Sequence, residues 1–422
     1  MTDSSQPQQS QDSPKPLKVL HIGKYFPPYA GGMETYLRDL MAAQSKQGLE
    51  STALVHQSAL SLRSSTEEYS ANGVKLAITR AAVWLRVLFT PISPTFPWLL
   101  NRLIKENQPD LLHLHMPNVS VFWALFLPKA RRLPCVVQWQ SDVLASKHSM
   151  GLRLFYSLYR PFERLILQRS AAVLVSSPPY LNSSEPLQGY RNKCRVVPLG
   201  LSPLNGANTS STANTSSTSS TSSKSIEREQ PTRPDDAPLI VLAIGRLTYY
   251  KGFEFLVRAA AECDHTVIHL VGKGDQEPLL RNLVQELGLQ ERVIFDGHLD
   301  DAALAHKFSQ CDCLCLPSIE RTESFGLVLL EAMRLSKPTV IANVPGSGMG
   351  WIVDDGVTGL HCTPESPTSL AKSLRHLRDN RDKIAEFGGN GRNKFERLFT
   401  IDASAAGVSA VYQTALDPGS AT

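Results

Sequence analysis

Two short runs most constrain what this chain can become: LKVLHIG at Leu17–Gly23 and LIVLAIG at Leu239–Gly245. Each is apolar almost throughout, ends in glycine, and is followed by a loop and then a stretch with helical spacing. A strand with one wet face alternates apolar and polar residues instead, so these runs belong to parallel sheets covered by helices on both faces. The first leads through GKYFPPYAGG into METYLRDLMAAQSKQG and the strand-like DLLHLH, CVVQW and AAVLVSS. The second leads to HTVIHLVG, RVIFDG, CDCLCLPS, PTVIAN and LHCTP, again alternating with helical stretches. The pattern predicts an α/β chain of two doubly wound domains, with ligands held at the carboxyl ends of the strands.

Between the two series lies a Ser/Thr-rich tract, Asn205–Pro238, too polar to bury a core. As a flexible coil it spans on the order of 30 Å, enough to join two domains without fixing their angle. The expected division is a polar tail at 1–16, a first domain at 17–204, a linker at 205–236 and a second domain at 237–398.

At 422 residues the chain has room for two such domains. Its net charge of +4 hides an asymmetry: residues 1–204 hold about 22 of the 43 Lys and Arg but 12 of the 39 Asp and Glu. A basic first half suits an anionic partner such as a membrane surface. Nucleic acid is not expected, because no recognition motif accompanies the charge. The seven cysteines are odd in number, and the start MTDSSQPQQSQDSPKP lacks the form of a secretory signal, so a cytoplasmic protein is expected. Cys311, Cys313 and Cys315 alternate as one strand face would, but no ligand-spaced His or Cys cluster stands beside them. They read as small buried side chains, and neither a metal nor a cofactor is expected. The apolar stretch Ala81–Leu100 is broken by Arg86, Pro91, Pro94 and Pro97, so membrane contact would be peripheral.

The strand-end loops carry the chemistry. Gly31 and Gly32 directly precede a helix, where backbone N–H groups can approach an anion. In GRLTYYKG, Arg246 and Lys251 stand five apart around a turn, within reach of one phosphate pair. VGKGD supplies two more strand-end glycines, Gly272 and Gly274. Together these loops favour a phosphorylated ligand. ESFGLVLLE places Glu323 at a helix entry and Glu331 two turns in. Were the stretch helical throughout, the two would lie about 12 Å apart along the axis, beyond the roughly 5–9.5 Å of a glycosidase carboxylate pair. They read instead as acceptors for hydroxyls on separate parts of one long polar ligand, with the N–H groups of Ser324, Phe325 and Gly326 facing its phosphate.

Glu323-x7-Glu331, with Gly245-Arg246-(x4)-Lys251-Gly252 before it and DGVTG (Asp355–Gly359) after it, resembles the donor half of glycosyltransferase family 4, of GT-B fold. The Gly31-Gly32 loop, HLHMPN (His113–Asn118) and PLG (Pro198–Gly200) resemble its other half. The resemblance implies two Rossmann-like domains facing across a cleft, with a C-terminal segment at about 399–417 crossing back to the first. It implies retaining transfer of a hexose from a UDP- or GDP-sugar to a glycan or polyprenyl-linked acceptor, without an obligatory metal. Arg246 and Lys251 would neutralise the diphosphate, Glu331 hold the ribose, Glu323 contact the donor sugar and Gly32 close over the pyrophosphate. Ser324, Phe325 and Gly326 would border sugar and phosphate. The chain departs from the family pattern at VVQWQSDV: Gln140 stands where relatives carry a His beside the reacting sugar, and Asp142 reads either as a substrate-binding residue or as a cap of its loop. Gln donates and accepts hydrogen bonds but cannot titrate.

RAAVWLRVLF (Arg80–Phe89) and GLRLFYSLYRPFERLILQR (Gly151–Arg169) interleave Arg with apolar residues, as a helix lying on an anionic membrane would. They favour a lipid-linked acceptor handled at the inner membrane face. Two other classes fit the same architecture: a nucleotide-sugar epimerase, and a sugar-nucleotide or glycan-binding protein weakened in catalysis at Gln140.

Overall fold

A computed structural model of the chain describes residues 15–29, 31–87, 90–143, 150–203 and 236–417, with the backbone path alone for 150–155. The expected tail falls almost wholly outside these residues, as does the expected linker apart from residue 236.

In chain order the strands are β1 (Lys18–Ile22), β2 (Glu50–His56), β3 (Ser65–Ala71), β4 (Val74–Ala81), β5 (Leu85–Val87), β6 (Thr90–Ile92), β7 (Leu111–Met116), β8 (Cys135–Trp139), β9 (Ala172–Val175) and β10 (Cys194–Val196). The second series is β11 (Leu239–Ile244), β12 (Thr266–Val271), β13 (Val293–Gly297), β14 (Cys313–Leu316), β15 (Thr339–Ala342) and β16 (Gly359–Cys362). The first domain is a sheet ordered β10-β9-β8-β7-β1-β2-β4-β3, parallel except for β3 at the edge. The second is ordered β13-β12-β11-β14-β15-β16 and is parallel throughout. Every continuously apolar run read from the sequence becomes one of these strands, and β7, β8, β9 and β14 are buried along their whole length.

The strand order of each sheet reverses in the middle, between β1 and β7 in the first and between β11 and β14 in the second. Loops leaving two such neighbours diverge to opposite faces and open a crevice. The loops after β1, β11 and β14 are those that carry the glycines, cations and carboxylates.

One expected helix is not there. The described part, Arg80–Val87, begins with the end of β4 and runs into β5, which pairs antiparallel with β6; residues 88 and 89 lie outside the described residues. Arg80 is buried rather than facing a surface, donating to Glu67 at 2.9 and 2.7 Å and to the Pro27 carbonyl at 2.6 Å. Its Arg and apolar spacing therefore belongs to a strand end and a hairpin, and Pro91 in the returning strand suits no helix.

Two devices tie the domains together. After the helix Asp382–Leu398 the chain pairs with the end of the first domain, Leu201 N–H donating to the Phe399 carbonyl at 3.0 Å and Ile401 N–H to the Leu201 carbonyl at 2.9 Å. The helix Ile401–Leu416 then packs on Gly32–Lys46. Tyr36 and Ser404 share a hydroxyl contact at 3.0 Å, and Gln44 donates to the Tyr412 hydroxyl at 3.2 Å. That hydroxyl also meets His113 Nδ1 at 2.5 Å.

The second device is electrostatic. Asp142, in the loop after β8, is held by Trp139 Nε1 at 2.9 Å and Ser184 Oγ at 2.7 Å, while its own N–H donates to the Tyr180 hydroxyl at 2.6 Å. Its other carboxylate oxygen is taken by Arg321 from the loop after β14. Arg321 also donates to Ser183 at 2.9 Å and lies over the Tyr180 ring. Asp142 is 2 % exposed at its side chain and Arg321 26 %. Removing one member of such a pair strands the other. Arg321→Ala is expected to lower the unfolding free energy by about 2–3 kcal/mol, short of the ~3–5 kcal/mol of a wholly buried pair because Arg321 is partly wet. Denaturant titration at pH 7 measures it, and a loss below about 0.5 kcal/mol, the size of an ordinary surface substitution, would show that the pair holds little.

Candidate active site

The adjacency of β11 and β14 brings two loops over one spot. Lys251 ends the short turn Tyr249–Lys251, and its ammonium forms an ion pair with Glu323 from the loop after β14. The two side chains are 11 % and 13 % exposed, and Ser318 Oγ donates to the same Glu323 oxygen at 3.3 Å. Burial pulls the Lys251 pKa down, but the Glu323 charge outweighs it and the net shift is upward, so Lys251 is a firm cation. Arg246, exposed on the same loop, is the freer of the two cations.

Glu323 is not in a helix. The helix after it is Leu327–Arg334, so Glu323 sits in the loop and only Glu331 lies in the helix. Glu331 is partly buried, and burial pushes its pKa up to about 7 while Arg334 pulls the other way. The two carboxylates therefore have different environments and no common partner among the contacts of the described residues.

Ser324, Phe325 and Gly326 lead into that helix. Gly326 takes a left-handed conformation at its N-cap, with no capping side chain. Phe325 turns inward, 2 % exposed and edge-on to Phe399, so only its backbone remains for a ligand. Ser324 is partly exposed, and its carbonyl receives the Gly348 N–H at 2.8 Å. Facing this turn from the first domain is Gly32, at the start of its own helix. A Cβ placed there would come 2.9 Å from Leu327 Cδ1, so the glycine lets two helix N-termini approach across the cleft. Gly31 is extended at φ 171° and also lacks a capping side chain.

Gly272 and Gly274 have a structural duty. A side chain on Gly272, at φ 137°, would collide with the Gly245 carbonyl, and one on Gly274 with the Leu247 carbonyl. The Gly272 N–H is already committed to the Gly297 carbonyl at 2.7 Å. These glycines let the loop after β12 pack against the loop that presents Arg246, rather than offering a free amide at Gly272.

Gln140 is buried in the first-domain wall of the cleft, its N–H on the Met116 carbonyl at 3.0 Å. It borders a pocket with Gly23, Lys24, Tyr25, Glu34, His115 and Pro117. Asp142 is close by in sequence but fully engaged by the interdomain pair described above. Lys24 and Glu34 were not picked out from the sequence, although Gly23-Lys24 repeats the strand-end glycine and cation of Gly245-Arg246. Burial lowers the Lys24 pKa, Glu34 opposes this and Arg246 reinforces it, so Arg246 faces this corner from the other domain. Glu34 is 5 % exposed, and burial raises its pKa.

The seven cysteines are free and buried, as read for Cys311, Cys313 and Cys315. The one group of metal-competent side chains among the described residues is His21, His113 and His115, all buried, with ligand atoms within 4.8 Å of one another. Its signal was present in HLH, since residues two apart on a strand share a face.

The Glycosyl transferase 4-like domain family matches residues 31–200, and the Glycosyl transferases group 1 family matches residues 224–394. The chain is 27% identical over 406 residues to O-antigen chain mannosyltransferase C of Escherichia coli, covering 95% of this chain and 99% of that one. It is 26% identical to the D-rhamnosyltransferase WbpZ of Pseudomonas aeruginosa, covering 91% and 92%. Among solved structures it resembles sucrose-phosphate synthase from Thermosynechococcus elongatus, with TM-score 0.70, 23% identity and coverage of 94% and 98%. It also resembles Anabaena HepE in complex with UDP and glucose, with TM-score 0.68, 20% identity and coverage of 94% and 100%. Two reversing parallel sheets, with paired cations and carboxylates where their loops meet, thus coincide with two matched families: this chain belongs to the GT-B glycosyltransferases that join a 4-like domain to a group 1 domain.

Proposed function

We propose that this glycosyltransferase moves a hexose from a UDP- or GDP-sugar to a glycan or polyprenyl-linked acceptor in surface polysaccharide assembly, with retention at the transferred carbon. The observation that carries this reading is the Lys251–Glu323 ion pair at the crevice of the second sheet, beside Arg246 and below a helix N-terminus. An incoming diphosphate competes with Glu323 for Lys251 and frees the carboxylate to accept hydrogen bonds from the donor sugar. As the bond from the sugar to the diphosphate breaks, negative charge gathers on the leaving oxygens. Arg246, Lys251 and the N–H groups leading into Leu327 stabilise that charge without having to reorganise. Glu331 holds the ribose, and Gly31–Gly32 close the first domain over the pyrophosphate. Gln140 orients the reacting sugar by hydrogen bonding and contributes no titration of its own.

The names of the relatives support the pathway: an O-antigen chain mannosyltransferase, a D-rhamnosyltransferase and a lipopolysaccharide core glycosyltransferase from Rhizobium meliloti. None of these names an epimerase, and no feature of the site favours that alternative.

No described helix is long and apolar enough to cross a membrane. We propose a peripheral contact instead. On the outer side of Met150–Arg169, Leu158, Phe162 and Leu165 are exposed, and Phe162 meets Phe126, which meets Trp123, both also exposed. Lys129, Arg131, Arg132 and Arg164 are exposed nearby in the sequence of the same elements. Apolar rings bordered by cations suit an anionic lipid surface.

Three outcomes test these readings. Glu323→Gln and Lys251→Ala should each cut kcat by about 10²–10³-fold while circular dichroism stays native, the range for losing one preorganised electrostatic contact. Full nucleotide binding by the wild-type protein with no sugar transfer to any acceptor would instead favour the binding-protein reading. Because Glu331 is held protonated up to about pH 7, and its anion is the better acceptor for hydroxyls, nucleotide affinity should rise between pH 6 and 8. In Glu331→Gln the rise should flatten, which calorimetry resolves; an unchanged pH profile would remove Glu331 from the ribose. Finally, sedimentation with phosphatidylglycerol vesicles should fall severalfold in Phe126→Ser/Phe162→Ser, and equal sedimentation would dismiss that face.

A further inference from the structure

We propose that His21, His113 and His115 form a binding site for one zinc-type divalent metal ion, apart from the Lys251–Glu323 pair. The fold itself makes the cluster: β1 and β7 are parallel neighbours with His21 opposite His113, and His115 lies two residues further on the same face. The rings are close, with centroids 4.9 Å apart for His21 and His113, 5.5 Å for His21 and His115, and 4.3 Å for His113 and His115. Three ligand atoms no more than 4.8 Å apart enclose a point at most about 2.8 Å from each, which is 4.8 Å divided by √3. Closing to the 2.0–2.1 Å of a zinc–imidazole bond asks each ring to move by about 0.7 Å.

The proton inventory of the cluster favours an ion. Gln44 Oε1 can only accept, and it lies 3.2 Å from His21 Nε2, so that nitrogen carries the hydrogen and His21 Nδ1 is a bare lone pair. His21 Nδ1 lies 3.2 Å from His115 Nε2, which must then be the protonated nitrogen of its ring. This leaves a lone pair on His115 Nδ1 with no partner, and His113 Nε2 is likewise without one among the described residues. Two unsatisfied ring nitrogens in one fully buried cluster call for an explanation. A cation would take up His113 Nε2 directly, and if the His115 proton moves from Nε2 to Nδ1 as the ion binds, His115 Nε2 and His21 Nδ1 become its other two ligands. The contacts that remain give the outer support usual for metal-bound imidazole. His21 Nε2–H already faces Gln44, and His113 Nδ1 already faces the Tyr412 hydroxyl.

The cluster is also consequential. His115 borders the cleft pocket with Gln140, so one ligand of the cluster lies at the edge of that pocket. Gln44 belongs to the first helix and Tyr412 to the C-terminal helix, so an ion here clamps the returning helix to both central strands of the first sheet. None of the three histidines is assigned a part in sugar transfer, so the proposal does not rest on the proposed reaction.

The test uses full-length protein stripped with chelator and titrated with Zn²⁺ or Co²⁺ alone. The expected result is one ion per chain by elemental analysis, a visible Co²⁺ spectrum of tetrahedral nitrogen ligation, and a melting midpoint raised by Zn²⁺. His115→Gln, which keeps much of the ring's volume and polarity, should lose the ion and the shift while still binding nucleotide. The proposal is overturned by binding well below one ion per chain, by a thiolate-type Co²⁺ spectrum, or by full binding in His115→Gln. Should His115→Gln fail to fold, the wild-type stoichiometry and spectrum still decide the matter.

Discussion

The architecture turns on one carboxylate, Asp142, buried where the two domains meet. Asp142 is fixed by Trp139, Ser184 and Tyr180 on its own domain, and so presents a rigid negative charge to the other. Arg321 answers it from the loop that, two residues later, carries Glu323. A buried pair of this kind contributes little net stability once desolvation is counted, and its value is in specifying one arrangement. Here the arrangement concerns the cleft: the loop that orients Glu323 is referenced to the first domain rather than only to its own sheet. A conservative change at Asp142 therefore reaches the loop that carries Glu323 through Arg321.

Much of the fold was legible because burial on both faces leaves an unmistakable trace. CVVQW, LIVLAIG and CDCLCLPS permit almost nothing but interior strands, and each is one. Strands β2, β3, β4 and β10 are harder to read because their exposure is mixed; β3 is an antiparallel edge strand with charged residues toward water. Which loops meet was legible: Lys251 pairs with Glu323, and Gly32 lies against Leu327. Individual orientation was not, because it is decided by packing across chain-distant elements. Nothing local to Phe325 tells that Phe399 draws it into the core, and nothing local to Gly272 tells that the Gly245 carbonyl presses against it. Arg80 shows the opposite error, in which a helical-looking spacing arises from a strand end followed by a hairpin. His21 and His113 are 92 positions apart, so their meeting is a fact of sheet order rather than of sequence.

Electrostatics divides the crevice into two corners. On one side Lys251 and Glu323 neutralise each other, and on the other Lys24 and Glu34 are drawn toward neutrality by burial, with Arg246 acting on that second corner. These carboxylates already orient the cations, and the helix starts at Gly31 and Gly326 carry no capping side chain.

The return of the last helix to the first domain sets a rule for recombination. The second domain is not a contiguous tail. It is an insert whose two ends are both stitched to the same partner, near Leu201 and through Ile401. Exchanging it between relatives by a single crossover would also import a foreign terminal helix to lie against Tyr36, Gln44 and His113. A compatible hybrid needs two junctions, the second at the break around Phe399 and Thr400, so the molecule is built for insertion rather than for end-to-end exchange.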